Sequence, residues 1–210
     1  TKVGDNTSIR IDVVDAVENR HIAGGQYLRR TGDVLGLPSE IAQTAVAQLK
    51  IKLTDSQSQR LVEKNTEDSE SFRYYLSGLV ELNGTAKGRE KALGYFQKAV
   101  DLDPNFALAH AEIARMYWIE ANTSSDPAEL MPKAKAAAEK ALASEGAPAT
   151  AHVVRAMVYE SEFDWTNAER EYQRAIELSP NLDFARNNYA FFLSVLNRQD
   201  EALAQLEEQR

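Results

Sequence analysis

His21, His110 and His152 are the side chains here with the widest chemical repertoire, and their neighbours decide whether they use it. The 210 residues contain no cysteine, which excludes a thiolate nucleophile, a thiolate zinc site and a disulfide framework. None of the three histidines has an Asp or Glu close by at metal-ligating spacing. The phosphate cradle G-x-x-x-x-G-K-[ST], the dinucleotide turn G-x-G-x-x-G and the nucleophile elbow G-x-S-x-G are all missing. So are the H-R-D and D-F-G signatures of a protein kinase. The residues therefore predict no catalytic group, no metal and no cofactor in this segment. His110 and His152 fall at equivalent places in a repeating pattern, where packing is the expected role.

That pattern must position everything else. Ala-x3-Tyr/Phe-x2-Ala-x4-Pro occurs at Ala92, Phe96, Ala99 and Pro104, and again at Ala168, Tyr172, Ala175 and Pro180. Ala134, Ala138 and Ala141 form a weaker copy. The spacing i, i+4, i+7 places these residues on one face of a helix. Upstream of each copy lies a second helical stretch with a small residue at its centre: Gly78, Ala114, Ala156 and then Ala190. Ala156 to Ala190 and Ala168 to Ala202 are both 34 residues; Gly78 to Ala114 is 36 and Ala114 to Ala156 is 42, which predicts inserted loop residues in the first two units. Small residues let paired helices touch, and Phe96 and Tyr172 fill the gap between units. Asn105 is expected to cap the second unit, and Trp165, after Asp164 as N-cap, to clamp a helix corner. Helical units of this kind cannot bury an apolar face alone and so stack into a solenoid.

The chain before residue 66 follows a different period. Ile9, Ile11 and Val13 alternate with polar neighbours, predicting a half-buried strand over 8–14, and a return strand over 21–30 runs through Ile22 and Tyr27. Gly24-Gly25 within it suggests a bulge or a close backbone approach. An amphipathic helix is expected over 38–49, with Pro38 in its first turn and Ile41, Ala45, Val46 and Leu49 on one face. Thr54 and Gln57 make a capping box for a short helix through Leu61 and Val62. A hairpin with one helix is too small to stand alone.

Residues 69–210 resemble tetratricopeptide repeats, with units at about 69–104, 105–147, 148–180 and 181–210. The phrases SIRIDVVDAVENRHIAGGQYLRR, DVLGLPSEIAQTAVAQLKIKLT and FRYYLSGLVELN, with PKAKAAAEKAL and FDWTNAEREYQRAIELSPN, are similar to a bacterial signalling arrangement. In it the end of a TolB-like α/β subdomain, here residues 1–65, runs into the repeats. The resemblance implies a mainly α fold, a TPR-type α-solenoid preceded by a small α/β remnant. It also implies the sensory or scaffold portion of a serine/threonine kinase, class III adenylate cyclase or winged-helix regulator. The chain starts at Thr1 and stops at Arg210 inside an expected helix, and so reads as a piece of a longer protein.

In such repeats the inner groove is lined by the first helix of each unit. The register then assigns partner-binding positions to Phe72, Tyr75 and Leu79, to Leu108, Arg115 and Trp118, to Met157 and Glu160, and to Phe184, Asn187 and Phe191. Apolar and aromatic groups dominate that set, as they do binding anchors in general. The row of Lys, Arg and Asn that would grip an acidic peptide terminus is lacking. Alternatively, Phe184 and Phe191 cover a following helix, and Phe72 and Tyr75 pack on the N-terminal subdomain. Of the net charge of −8, residues 66–210 contribute −9, with 15 Lys and Arg against 24 Asp and Glu, and residues 1–65 contribute +1; this argues against nucleic acid as ligand. No apolar run is long enough to insert in a membrane, so the segment could sit in a bacterial cytoplasm or on the periplasmic side of an anchored parent. The expected partner is a protein or peptide. Self-association through the unfinished sheet or the last repeat is the alternative, making a spacer that sets the oligomeric state of an attached effector.

Overall fold

The computed structural model describes residues 2–3, 6–15, 18, 20–30, 35–50, 52, 66–82, 84–123, 127–144 and 146–207. The chain divides into two compact units, Thr1–Arg73 and Tyr74–Arg210. The short helix expected through Leu61 and Val62 lies outside the described residues.

In the first unit, β1 (Lys2–Val3), β2 (Asn6–Asp15) and β3 (Arg20–Arg30) form an antiparallel sheet in that order. Ile9, Ile11 and Val13 take the half-buried face, as their alternation predicts, opposite Tyr27, Gly25 and Ala23. Val13 pairs with Ala23 but Val14 with His21, so Ile22 is the extra residue of a β-bulge. That corrects one expectation: Ile22 turns to solvent, and Ala23 joins Tyr27 in the core. Gly24 carries the close approach instead, since a Cβ there would stand 2.4 Å from the carbonyl oxygen of Ile11. Helix α1 (Leu37–Leu49) lies against β3. The Gln48 side chain donates to the Gly24 carbonyl (3.1 Å) and accepts from its N–H (2.7 Å). Arg29 pairs with Glu40. His21 rests on the exposed strand face, 3.2 Å from Asp12, whose carboxyl the Arg10 guanidinium holds below its usual range.

Eight helices follow among the described residues: α2 (Ser69–Glu81), α3 (Ala86–Leu102), α4 (Ala107–Thr123), α5 (Pro127–Leu142), α6 (Ala149–Ser161), α7 (Trp165–Leu178), α8 (Asp183–Val195) and α9 (Gln199–Glu207). Helices α4 and α5, α6 and α7, and α8 and α9 pack as hairpins, while α4, α6 and α8 lie side by side in one layer. This is the tetratricopeptide α-solenoid. Every alanine of the three motif copies is buried, with Phe96 and Tyr172 among them. A Cβ on Gly78 would reach 2.4 Å from the Phe96 ring, which explains the glycine at that crossing. Tyr172 bridges successive units, its ring 5.6 Å from Tyr189 and 5.4 Å from Phe192.

The 42-residue spacing has a different origin from the expected loop. The excess over 34 is absorbed by helix: α4 continues to Thr123, and α5 begins at Pro127 and passes through Pro132. Aligned on Ala114–Ala156 and Ala134–Ala168, residues 120–123 and 127–130 are the additions, about one turn on each helix. Asn105 does not cap α4. The Asp103 side chain takes the Asn105 N–H (3.0 Å) in a turn that delays the helix to Ala107. Side-chain caps form at Asp68, accepting from Ser71 N–H (2.7 Å), at Thr85, accepting from Gly88 N–H (3.0 Å), and at Asp164, accepting from Asn167 N–H (3.2 Å).

The remaining histidines are ties between elements. His110 Nε2 lies 2.8 Å from the carbonyl of Pro104, and Arg186, at the equivalent place two units on, donates to the carbonyl of Pro180 (2.7 Å). His152, between them in register, pairs instead with the buried Glu171 at 2.7 Å. Burial works against the Glu171 charge, but the His152 hydrogen bond and the Arg155 and Arg170 charges outweigh it and hold that carboxyl below its usual range.

Candidate partner-binding groove

Helices α4, α6 and α8 present a layer whose equivalent positions are set by Ala114, Ala156 and Ala190. Four residues assigned from that register, Trp118, Met157, Glu160 and Phe191, line one hollow of about 580 Å³. Met157 is buried and Phe191 is 65% exposed, so the hollow has an apolar floor and a free aromatic on its α8 side. Arg115 of α4 reaches across α6, its guanidinium 5.6 Å from the Phe184 ring of α8. Glu112 holds that guanidinium from the other side, accepting from Arg115 Nε at 2.8 Å. These two assigned residues therefore engage each other beside the hollow.

The other assigned positions lie elsewhere. Tyr75 is committed to packing, its ring 5.8 Å from Phe96 and 5.1 Å from Phe106, and burial pushes its hydroxyl above the usual tyrosine range. Phe72 is buried, Leu108 is half-buried, and Leu79 and Asn187 are exposed.

The second helices and the turns contribute residues that the register alone did not assign. Met131 from α5, Trp165 and Tyr172 from α7, and Phe163 from the α6–α7 turn complete the apolar lining. Trp165 does stand at its helix corner, 5.7 Å from Phe163 and 6.2 Å from Phe192, and the same ring also faces the hollow. Phe163 is 75% exposed and has φ +62°, in the left-handed region. The equivalent turn residues Gly84 and Asn197 share that conformation, at +79° and +61°. Glycine and asparagine tolerate it; a bulky aromatic is an outlier there. The signal was present as a phenylalanine between Glu162 and the Asp164 cap, where the next unit has asparagine.

The polar groups of the hollow are mostly acceptors. Asn122 and Asn188 donate their amide N–H groups to the carbonyls of Trp118 (2.8 Å) and Phe184 (2.6 Å), which leaves each Oδ1 open. Ser161 donates to the carbonyl of Val158 at 2.7 Å. Glu160 accepts from Tyr172 Oη at 2.9 Å, and burial raises its carboxyl above the usual glutamate range despite that bond. Among the described residues no cation lies within ion-pair distance of Glu160. The other buried or half-buried glutamates of this unit are all matched: Glu81 to Lys91, Glu112 to Arg115, Glu169 to Arg198, and Glu171 to His152 and Arg155.

The chain matches no protein-family model. Its fold is shared with TTC0263, a thermophilic TPR protein of Thermus thermophilus, at 20% identity and a TM-score of 0.56, over 83% of this chain and 86% of that one. YrrB, a TPR protein with an unusual peptide-binding site, is 25% identical over 66% of each chain at a TM-score of 0.44. In sequence, 114 residues are 25% identical to "Putative adenylate cyclase 3" of Rhizobium meliloti (strain 1021). They make up 54% of this chain and 19% of that protein, so the match covers about a fifth of the curated relative.

Proposed function

We propose that this chain is a non-catalytic interaction scaffold that docks a peptide or helical segment along the α4–α6–α8 layer. The observation that carries the reading is the hollow where Trp118, Met157, Glu160 and Phe191 converge. Large aromatic side chains in a concave, partly desolvated site are the usual anchors of protein recognition. The likeness to part of a cyclase-named protein supports placing the segment in a larger bacterial signalling protein.

The test is selection of binders from a displayed random peptide library. Trp118→Ala and Phe191→Ala are expected to weaken the selected peptides by tenfold or more while the helical circular dichroism stays unchanged. Parallel loss of fold and binding assigns these side chains to packing instead. Self-association is the competing reading, favoured by Leu203 and Leu206, which α9 exposes. Light scattering that finds a monomer at every concentration removes it.

A further inference from the structure

The scaffold reading leaves the chemistry of the docked segment open, and the hollow itself narrows it. Glu160 is the half-buried glutamate of the repeat unit that no described cation neutralises, although four others of comparable burial each face one. The nearby Oδ1 atoms of Asn122 and Asn188 add acceptors, while one N–H of each amide is held within its own helix. Trp118, Trp165 and Phe191 supply ring faces, which attract guanidinium and ammonium groups. Among the described residues the lining holds no Lys, Arg or His, and an anion would meet mainly the two indole N–H groups and the second N–H of each asparagine amide. The unit that holds it carries a surplus of acidic residues, so its field favours a cationic visitor.

From this complementarity we infer that the hollow takes an arginine or lysine side chain of the docked segment, flanked by apolar residues, with its charged head at Glu160 and its stem against the aromatic rings. Resting on the scaffold reading, the assignment makes the partner a basic, apolar segment rather than an acidic one. Phe163 has a place in the same arrangement. An aromatic is held in a left-handed turn where the equivalent positions have Gly84 and Asn197, and it stands 75% exposed beside the hollow. Its ring, edge-on to Trp165 at 5.7 Å, covers the visitor's stem.

The experiment uses the whole chain and the library-selected peptides, each remade with citrulline for arginine or norleucine for lysine, which removes the charge. The expected result is that selected peptides share a basic residue next to apolar ones. Neutralising it weakens binding by tenfold or more, and Glu160→Gln weakens the charged peptide equally but leaves the neutral one unaffected. Glu160→Gln keeps an acceptor for Tyr172, so the fold is retained; Phe163→Asn serves as a second variant, expected to raise Tm while weakening binding severalfold. Peptides that depend on Trp118 and Phe191 but carry no basic residue, or that ignore Glu160→Gln, overturn this assignment and leave the scaffold reading standing. Peptides that depend on none of these residues overturn both.

Discussion

His152 and Glu171 show how a side chain with catalytic potential becomes a structural one. The pair is 2.7 Å apart, with Arg155 at 3.7 Å and Arg170 at 3.9 Å from the same carboxylate, so the imidazole serves a buried charge cluster that ties α6 to α7. Because the folded carboxyl titrates below its usual range, the unfolded chain binds the proton more readily. Stability from this group is therefore complete above the ordinary glutamate range, about pH 4.3, and is lost as pH falls through the folded value. Glu171→Gln is expected to cost about 1–2 kcal/mol at pH 7, the difference between a charge-assisted and a neutral hydrogen bond. Urea titrations of the two proteins should converge as pH drops below 4; a gap that persists there assigns the loss to packing rather than charge.

At the scale of helices, the motif copies were readable because i, i+4, i+7 spacing depends only on helical geometry. That register also located Trp118, Met157, Glu160 and Phe191 in one hollow. It missed Phe163, Trp165 and Met131 because they come from turns and second helices, and their approach depends on how hairpins cross. Tyr75 illustrates the same limit: its position faced the expected wall, but Phe96 and Phe106 supply rings that hold it in the core. The extra residues of the second unit were expected as loop from the spacing, and that stretch contains Pro127 and Pro132. Both are in fact accommodated by α5, with Pro127 as its first residue. Gly78 gives the element-scale prediction. Gly78→Ala would place a methyl within 2.4–2.8 Å of three Phe96 ring atoms. The expected loss is about 1–3 kcal/mol from overpacking, larger than the gain of up to about 1 kcal/mol in helix propensity. A denaturant midpoint that rises in the variant would show that the Phe96 ring can move aside.

Across the repeat unit, each hairpin leans mainly on its neighbours, so stability approximates a sum over units and the interfaces between them. The interface between the third and fourth units is aromatic, through Tyr172, Tyr189 and Phe192. Between the first two units Tyr75 meets Phe106, and between the second and third the buried Ala111, Ala141 and Ala151 form a small-residue cluster.

The added turn on α4 and α5 bears on how the array assembles. An array of this type can begin to form at any hairpin, and the start goes to the one that gains most from contacts close in sequence. Helices α4 and α5 make the most extensive helix–helix contact of the chain, joined by a short connection. That hairpin is the expected nucleus, with growth spreading outward to both sides. Ala138→Gly should then slow refolding nearly in proportion to its equilibrium effect, whereas Ala202→Gly should chiefly hasten unfolding. The two additional turns thus act on the timing of folding as well as on the height of a wall.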